Sequence, residues 1–155
     1  VEGKTAGPFA SACQCAAMIA QAPEHQIEAL RDFGMELGIA FQLVDDLLDL
    51  TGDERMGKPR GTDVHEGKMT LPIIHALTLL HGDGRRELSS ILNGFRDDRW
   101  DELEVLLAQS DSFGYCRMLI HNHLERALAH LSHFPESEVR QVLTELTLEV
   151  MSRHD

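Results

Sequence analysis

Three aspartates lie close together in an otherwise apolar stretch. Asp45, Asp46 and Asp49 interrupt the run 41–50. At 3.6 residues per turn, Asp45 and Asp49 share one face of a helix, and Asp46 lies about 100° round from Asp45. Like charges at this spacing repel each other, so a cation is expected between them. Carboxylate oxygens with no His or Cys nearby suit Mg²⁺, which proteins usually hold through one or two carboxylates plus substrate phosphates.

A segment with glycines and lysines follows the aspartates, and the two stretches together match a long motif. The motif reads FQ-x-x-DD-x-x-D and then GK-x-x-G-x-D-x-x-x-GK-x-T-x-P, and it resembles the second aspartate-rich motif of the trans-isoprenyl diphosphate synthases (polyprenyl synthetases). The matching positions are Phe41, Gln42, Asp45, Asp46, Asp49, Gly57, Lys58, Gly61, Asp63, Gly67, Lys68, Thr70 and Pro72. A match of this length is far more specific than a lone DDxxD.

The resemblance implies a reaction and a metal. In this family an allylic diphosphate ionises, isopentenyl diphosphate adds to the cation, and loss of a proton gives a polyprenyl diphosphate. The resemblance implies that Asp45 ligates Mg²⁺ directly. Asp46 and Asp49 would support the ion or its waters, and Asp63 would hold a further water.

The same resemblance implies the groups that contact the substrate. Lys4, Lys58 and Lys68 would bind the diphosphate, to which flexible ammonium groups contribute point charges. Thr5 and Gln42 would point their oxygens at the allylic cation. These five residues are therefore the candidate catalytic residues, and isopentenyl and allylic diphosphates are the expected ligands.

Composition limits the class of protein. The chain has 155 residues, is 43% hydrophobic and only 5% aromatic, and carries a net charge of −12. This mixture favours an all-α fold, and the resemblance implies an isoprenoid synthase-type helical bundle. The acidic balance argues against nucleic acid as a partner. An odd cysteine count, with no transmembrane run or signal peptide, predicts a cytoplasmic protein.

Helical periodicity, together with the glycines and prolines that interrupt it, predicts the elements that carry the motif. Residues 51–67 should form a loop, and residues 1–155 a single domain, the C-terminal part of a polyprenyl synthetase domain. The predicted helices cover residues 3–21, 23–50, 70–81, 84–94, 99–109, 112–133 and 136–152. Gly34 and Gly38, four residues apart, suit either a groove for a neighbouring helix or room for an isoprenoid tail.

The family's first aspartate-rich motif has no counterpart in the sequence. We therefore expect the chain to be the C-terminal portion of a longer synthase, which would be a homodimer. The residues in and around the motif most resemble those of the medium- and long-chain branch, which includes octaprenyl-type enzymes. The alternative function is a non-catalytic or regulatory subunit of a heteromeric synthase. A class I terpene cyclase is disfavoured, because those enzymes usually carry an NSE-type second motif.

Overall fold

A computed structural model describes residues 2–52 and 60–152, and within these ranges the chain is helical with no strand. The all-α prediction is confirmed. A π-helical turn, Glu2–Ala6, precedes the first α-helix, and a 3₁₀ turn, Asp97–Arg99, precedes the sixth. The α-helices are α1 Gly7–Ile19, α2 Glu24–Thr51, α3 Thr62–His65, α4 Leu71–Leu79, α5 Gly82–Leu92, α6 Trp100–Gln109, α7 Ser112–Leu131 and α8 Glu138–Ser152.

Several helix ends differ from the sequence prediction, most by one or two residues, and two of the differences have a clear physical cause. The segment 51–67 is not wholly a loop, because α3 forms within it after Gly61, which adopts a φ of 80°. A helix of four residues is too short to show periodicity in a sequence. The last helix begins at Glu138 rather than 136, since the Ser137 hydroxyl accepts the backbone N–H of Arg140 at 3.2 Å and so caps it.

The chain divides into two compact units. The first unit comprises Val1–Val44 and Met118–Asp155, and the second comprises Asp45–Arg117. The single domain over residues 1–155 stays a prediction. No helix in the described ranges is both long enough and apolar enough to cross a membrane.

In the first unit, the two glycines of α2 face the start of the chain. A Cβ built on Gly34 would lie 2.7 Å from the carbonyl oxygen of Phe9, and one on Gly38 would lie 2.7 Å from Cα of Ala6. These distances leave no room for a side chain, so the glycines let the backbones approach closely. The groove for a neighbouring helix is therefore confirmed.

In the second unit, one apolar cluster supports the motif. Helices α4, α5 and α6 pack against each other. Their buried side chains, with one from α2 and one from α3, form a continuous core. Its buried members are Leu50, Val64, Ile73, Ala76, Leu88, Ile91, Trp100, Leu103, Leu106 and Leu107. Leu50 and Val64 lie next to predicted metal ligands in the sequence, so this core holds both the aspartate helix and the loop.

Candidate metal and diphosphate site

The last two turns of α2 carry apolar residues on one side and carboxylates on the other. Leu47 and Leu50 are each only 1% exposed, whereas Asp45 is exposed and Asp49 is half-buried. Asp46 is 8% exposed and lies closer to the core. Since α2 remains α-helical through Thr51, Asp45 and Asp49 share a face as the spacing predicted.

Asp49 connects α2 to the loop that carries the rest of the motif. The backbone N–H of Asp63 donates to Oδ2 of Asp49 at 3.0 Å, although the two residues are 14 positions apart. The backbone N–H of Gly61 donates to the carbonyl oxygen of Asp49 at 2.7 Å. The Asp49 carboxylate thus accepts an N–H from the first turn of α3, a favourable place for a negative charge. Two predicted metal-site residues are brought together.

The electrostatic environment of Asp49 disfavours its charge. Burial raises the pKa of the Asp49 carboxyl, and the charges of Asp63 and then Asp45 raise it further. The backbone hydrogen bonds from Asp63 and Thr62 lower this pKa but do not cancel the increase. A cation at this position would relieve both the desolvation and the repulsion.

Lys68 already supplies one positive charge to the group. Its Nζ lies 2.6 Å from Oδ1 of Asp63 and 2.7 Å from Oε2 of Glu66. The hydrogen bonds with Asp63 and then Glu66 raise the pKa of the Lys68 ammonium. The backbone N–H of Lys68 also donates to the Asp63 carbonyl at 2.8 Å. Lys68 is therefore charged, exposed and held next to a predicted metal-site carboxylate.

Asp46 has a different environment. Its charge acts on the thiol of Cys116, whose pKa is raised to about 12 by burial first and by the charge of Asp46 second. Cys116 is therefore a protonated, buried thiol. Asp46 lies deeper than Asp45 and Asp49, which suits the supporting role that the resemblance implies for it.

The donor set fits Mg²⁺ when other ligands complete the coordination shell. Among residues 2–52 and 60–152, no three acidic, His or Cys side chains are arranged to hold a metal ion by themselves. Mg²⁺ usually takes only one or two carboxylates from a protein, with water and phosphate oxygens filling its octahedron. The raised pKa of Asp49 and the attraction of Lys68 to Asp63 both indicate carboxylates that favour a cation. Predicted ligand Lys58 lies outside the described residues.

In the first unit, Thr5 and Gln42 form a pair, 37 positions apart in the chain. The Thr5 hydroxyl donates to Oε1 of Gln42 at 2.6 Å. This bond uses the only proton of the hydroxyl, so its oxygen lone pairs remain available as a negative dipole. Lys4 is exposed in the same π-helical turn as Thr5. The structure therefore joins two of the residues that the resemblance implied would act together.

Side chains outside the motif hold the loop, and sequence reasoning did not find this role. The guanidinium of Arg60 lies 4.1 Å from the ring centroid of Trp100, and its Nη1 lies 2.9 Å from Oε1 of Glu104. Nε2 of His65 lies 2.9 Å from Oδ1 of Asp97. Neither Trp100 nor Asp97 belongs to the motif. No local pattern reveals the contacts, because they join residues 32 to 44 positions apart.

Comparison with known proteins identifies the family of this chain. The family model described as "Polyprenyl synthetase" matches residues 1–109, which is more than half of the chain. The chain belongs to the polyprenyl synthetase family. All of the predicted site residues lie within the matched range.

Individual relatives are similar over nearly the whole chain. An all-trans-nonaprenyl-diphosphate synthase (geranyl-diphosphate specific) of Rhodobacter capsulatus is 36% identical over 99% of this chain and 47% of its own length. Heptaprenyl diphosphate synthase component 2 of Geobacillus stearothermophilus is 35% identical over 99% of this chain and 48% of its own. The chain thus spans about half the length of these curated relatives.

A solved structure confirms the isoprenoid synthase-type fold. The polyprenyl synthase of Caulobacter crescentus, complexed with calcium and isoprenyl diphosphate, superposes with a TM-score of 0.89 at 32% identity. The match covers 100% of this chain and 48% of that one. The family and the fold predicted from the motif are confirmed together.

Proposed function

We propose that this polyprenyl synthetase chain takes part in prenyl transfer, in which isopentenyl diphosphate adds to an allylic diphosphate to give a polyprenyl diphosphate. The observation that carries the proposal is the Asp49–Asp63–Lys68 network. It joins carboxylates and an ammonium from two separate segments, with the backbone N–H of Asp63 fixing the Asp49 carboxylate. This is the combination needed to hold a diphosphate together with a divalent cation.

The carboxylates would hold Mg²⁺. Asp45 is exposed and would ligate the ion directly, while Asp46, Asp49 and Asp63 would support it or its coordinated waters. When bound, Mg²⁺ neutralises negative charge that grows on diphosphate oxygens as the allylic C–O bond breaks. The hydrogen bond from Asp63 keeps the Asp49 carboxylate in one orientation before any ligand arrives, so little reorganisation is needed.

The lysines would bind the diphosphate. The Lys68 ammonium is charged and exposed, and it is now shared between Asp63 and Glu66. A diphosphate carries more negative charge than either carboxylate, so Lys68 would turn towards it. A cation on Asp63 would then replace the charge that Lys68 gives up. Lys4 and Lys58 would contribute in the same way.

Thr5 and Gln42 would stabilise the allylic cation. Their hydrogen bond presents oxygen atoms with unshared electron pairs, which favour a nearby positive charge without attacking it as a carboxylate could. The mechanism requires no side-chain base, because the departing diphosphate can accept the proton lost after condensation.

Calorimetric titration tests the proposal. We expect inorganic diphosphate to bind the wild-type chain only when Mg²⁺ is present, and Asp45→Asn to weaken this binding. Asp98→Asn is the matched control, since Asp98 is also exposed and pairs only with Arg96 among the described contacts. Equal binding with and without Mg²⁺, or equal losses in the two variants, would contradict the proposal.

The alternative is a non-catalytic subunit of a heteromeric synthase. The observation that favours it is the similarity to a protein named component 2 of a heptaprenyl synthase. A turnover assay separates the two proposals. Transfer of labelled isopentenyl diphosphate to an allylic primer that disappears in Asp45→Asn supports catalysis by this chain. Binding to a second synthase chain, with turnover unaffected by that substitution, supports the subunit.

A further inference from the structure

Trp100 lies directly against the turn that begins α3. A Cβ built on Gly61 would lie 2.5 Å from Cζ3 and 3.0 Å from Cη2 of the indole, so the ring occupies the space that a side chain at position 61 would need. Trp100 is 7% exposed, and its Nε1 has no hydrogen-bond acceptor among the described residues. Burying an unpaired N–H is unfavourable. The position therefore needs the shape of the ring and not its polar group.

The ring also contacts an arginine and a phenylalanine. The Arg60 guanidinium lies 4.1 Å from its centroid, and Glu104 fixes that guanidinium through an ion pair of 2.9 Å. Phe95 meets Trp100 edge-to-face with centroids 5.4 Å apart, and it meets His65 in the same way at 4.9 Å. Arg60, before Gly61, and His65, after it, thus both contact the pair of rings formed by Trp100 and Phe95.

We propose that Trp100, together with Arg60 and Phe95, positions the loop that carries Asp63 and Lys68. This inference rests on the proposed function for its consequence, because it states how the predicted ligands are kept in place. None of the three residues belongs to the motif positions that identified the family. They are positioning residues, since they act on the ligand through the backbone of residues 61–68.

Hydrogen-bond geometry explains why the position of Gly61 matters. Its N–H donates to the Asp49 carbonyl at 2.7 Å and its own carbonyl accepts the N–H of His65 at 2.9 Å. Asp63 donates to Asp49 Oδ2 from the same turn at 3.0 Å. A shift of about 1 Å takes such contacts beyond hydrogen-bonding distance. Loss of the ring would therefore separate Asp63 from Asp49.

A general role in the core is the competing explanation, and native-state hydrogen exchange distinguishes it. In Trp100→Leu we expect faster exchange at the amides of Gly61 and Asp63, with the amides of α4 and α5, which belong to the same unit, unchanged. Trp100→Phe keeps a ring and provides a variant with a smaller loss of packing. A residue needed only for the core would instead speed exchange throughout its unit.

Binding measurements test the consequence. We expect Trp100→Leu to weaken Mg²⁺-dependent binding of inorganic diphosphate on the order of tenfold. Arg60→Met should weaken it about threefold, because a cation–π contact is removed. Arg60→Lys, which keeps the charge, should lie between Arg60→Met and wild type. Arg96→Met removes the same charge from an exposed pair and should change neither binding nor exchange.

Each outcome decides the inference. Local loss of exchange protection with weaker diphosphate binding supports it. The inference is overturned, while the proposed function stands, if exchange at Gly61 and Asp63 is unchanged in Trp100→Leu. It is also overturned if exchange protection is lost there but the affinity for diphosphate stays that of wild type. Absence of Mg²⁺-dependent binding in the folded wild-type chain overturns the proposed function, and the positioning role with it, even if the exchange result shows that the ring holds the turn.

Discussion

Replacing Gly61 with alanine should strongly destabilise the chain, and the loss separates into two parts. The φ of Gly61 is 80°, in the left-handed region that L-residues avoid at a cost of about 1–2 kcal/mol. The new Cβ would also lie 2.5 Å from the Trp100 ring. Overpacking of this kind costs about 1–3 kcal/mol. The total expected loss in free energy of unfolding is therefore about 2–5 kcal/mol.

Gly67→Ala is the matched control. Gly67 also has a positive φ, 70°, but its added Cβ would meet nothing within 4 Å. It should lose only the backbone part, about 1–2 kcal/mol. The effect of alanine on the unfolded chain is common to both variants and cancels in the comparison. The difference between them, about 1–3 kcal/mol, measures the steric contact with Trp100.

Urea unfolding followed by fluorescence gives this difference directly. Trp100 is the only tryptophan in the chain and lies at the contact, so its emission reports on the second unit. Circular dichroism on the same samples follows the helices as a whole. A double variant, Gly61→Ala with Trp100→Leu, should lose less than the sum of the single variants, because the smaller side chain leaves room for the methyl group. Equal losses for Gly61→Ala and Gly67→Ala would refute the reasoning.

Three further predictions concern other parts of the molecule. Gly38→Ala should lower the free energy of unfolding, because its Cβ would lie 2.7 Å from Cα of Ala6. Gly84→Ala, whose Cβ would lie 3.7 Å from its nearest neighbour, should raise the free energy of unfolding by about 0.5–1 kcal/mol. Shifts of the urea midpoint in opposite directions for the two variants would confirm this. The pKa of Asp49 is raised in the folded chain, so its stabilising contribution is present below its ordinary pKa and is lost as the pH rises through the folded value. In the absence of metal, the free energy of unfolding of Asp49→Asn should therefore increase relative to that of wild type as the pH rises from about 3 to about 7. A difference in urea midpoint that stays constant over this range would contradict the prediction. Cys116 is buried with its pKa raised to about 12, so a thiol reagent should modify exposed Cys15 in the native chain and reach Cys116 only after unfolding, as mass spectrometry of labelled peptides would show.

The shared face of Asp45 and Asp49 could be predicted from the sequence because it depends on spacing within one element. Asp45 and Asp49 share a face of any regular helix, and the apolar residues between them require that helix to pack on one side. Such local rules hold wherever the helix lies. The all-α fold and the family followed from the same local patterns, and both are confirmed.

The loop was harder to predict because its conformation comes from distant contacts. The sequence indicated only a glycine-containing connection, yet residues 62–65 form a helix. That turn depends on Asp49, which lies 14 positions from Asp63, and on Trp100. A four-residue helix gains little from its own hydrogen bonds, so partners elsewhere in the chain determine whether it forms.

The sequence by itself therefore determined which carboxylates and lysines this protein offers, and on which face of α2 the carboxylates lie. Only the tertiary structure decided that Asp63 donates to Asp49, that Lys68 pairs with both Asp63 and Glu66, and that a tryptophan outside the motif contacts the turn. The physical reason is range. Helical periodicity acts over a few residues, whereas charge pairing and ring packing depend on residues that only folding brings together.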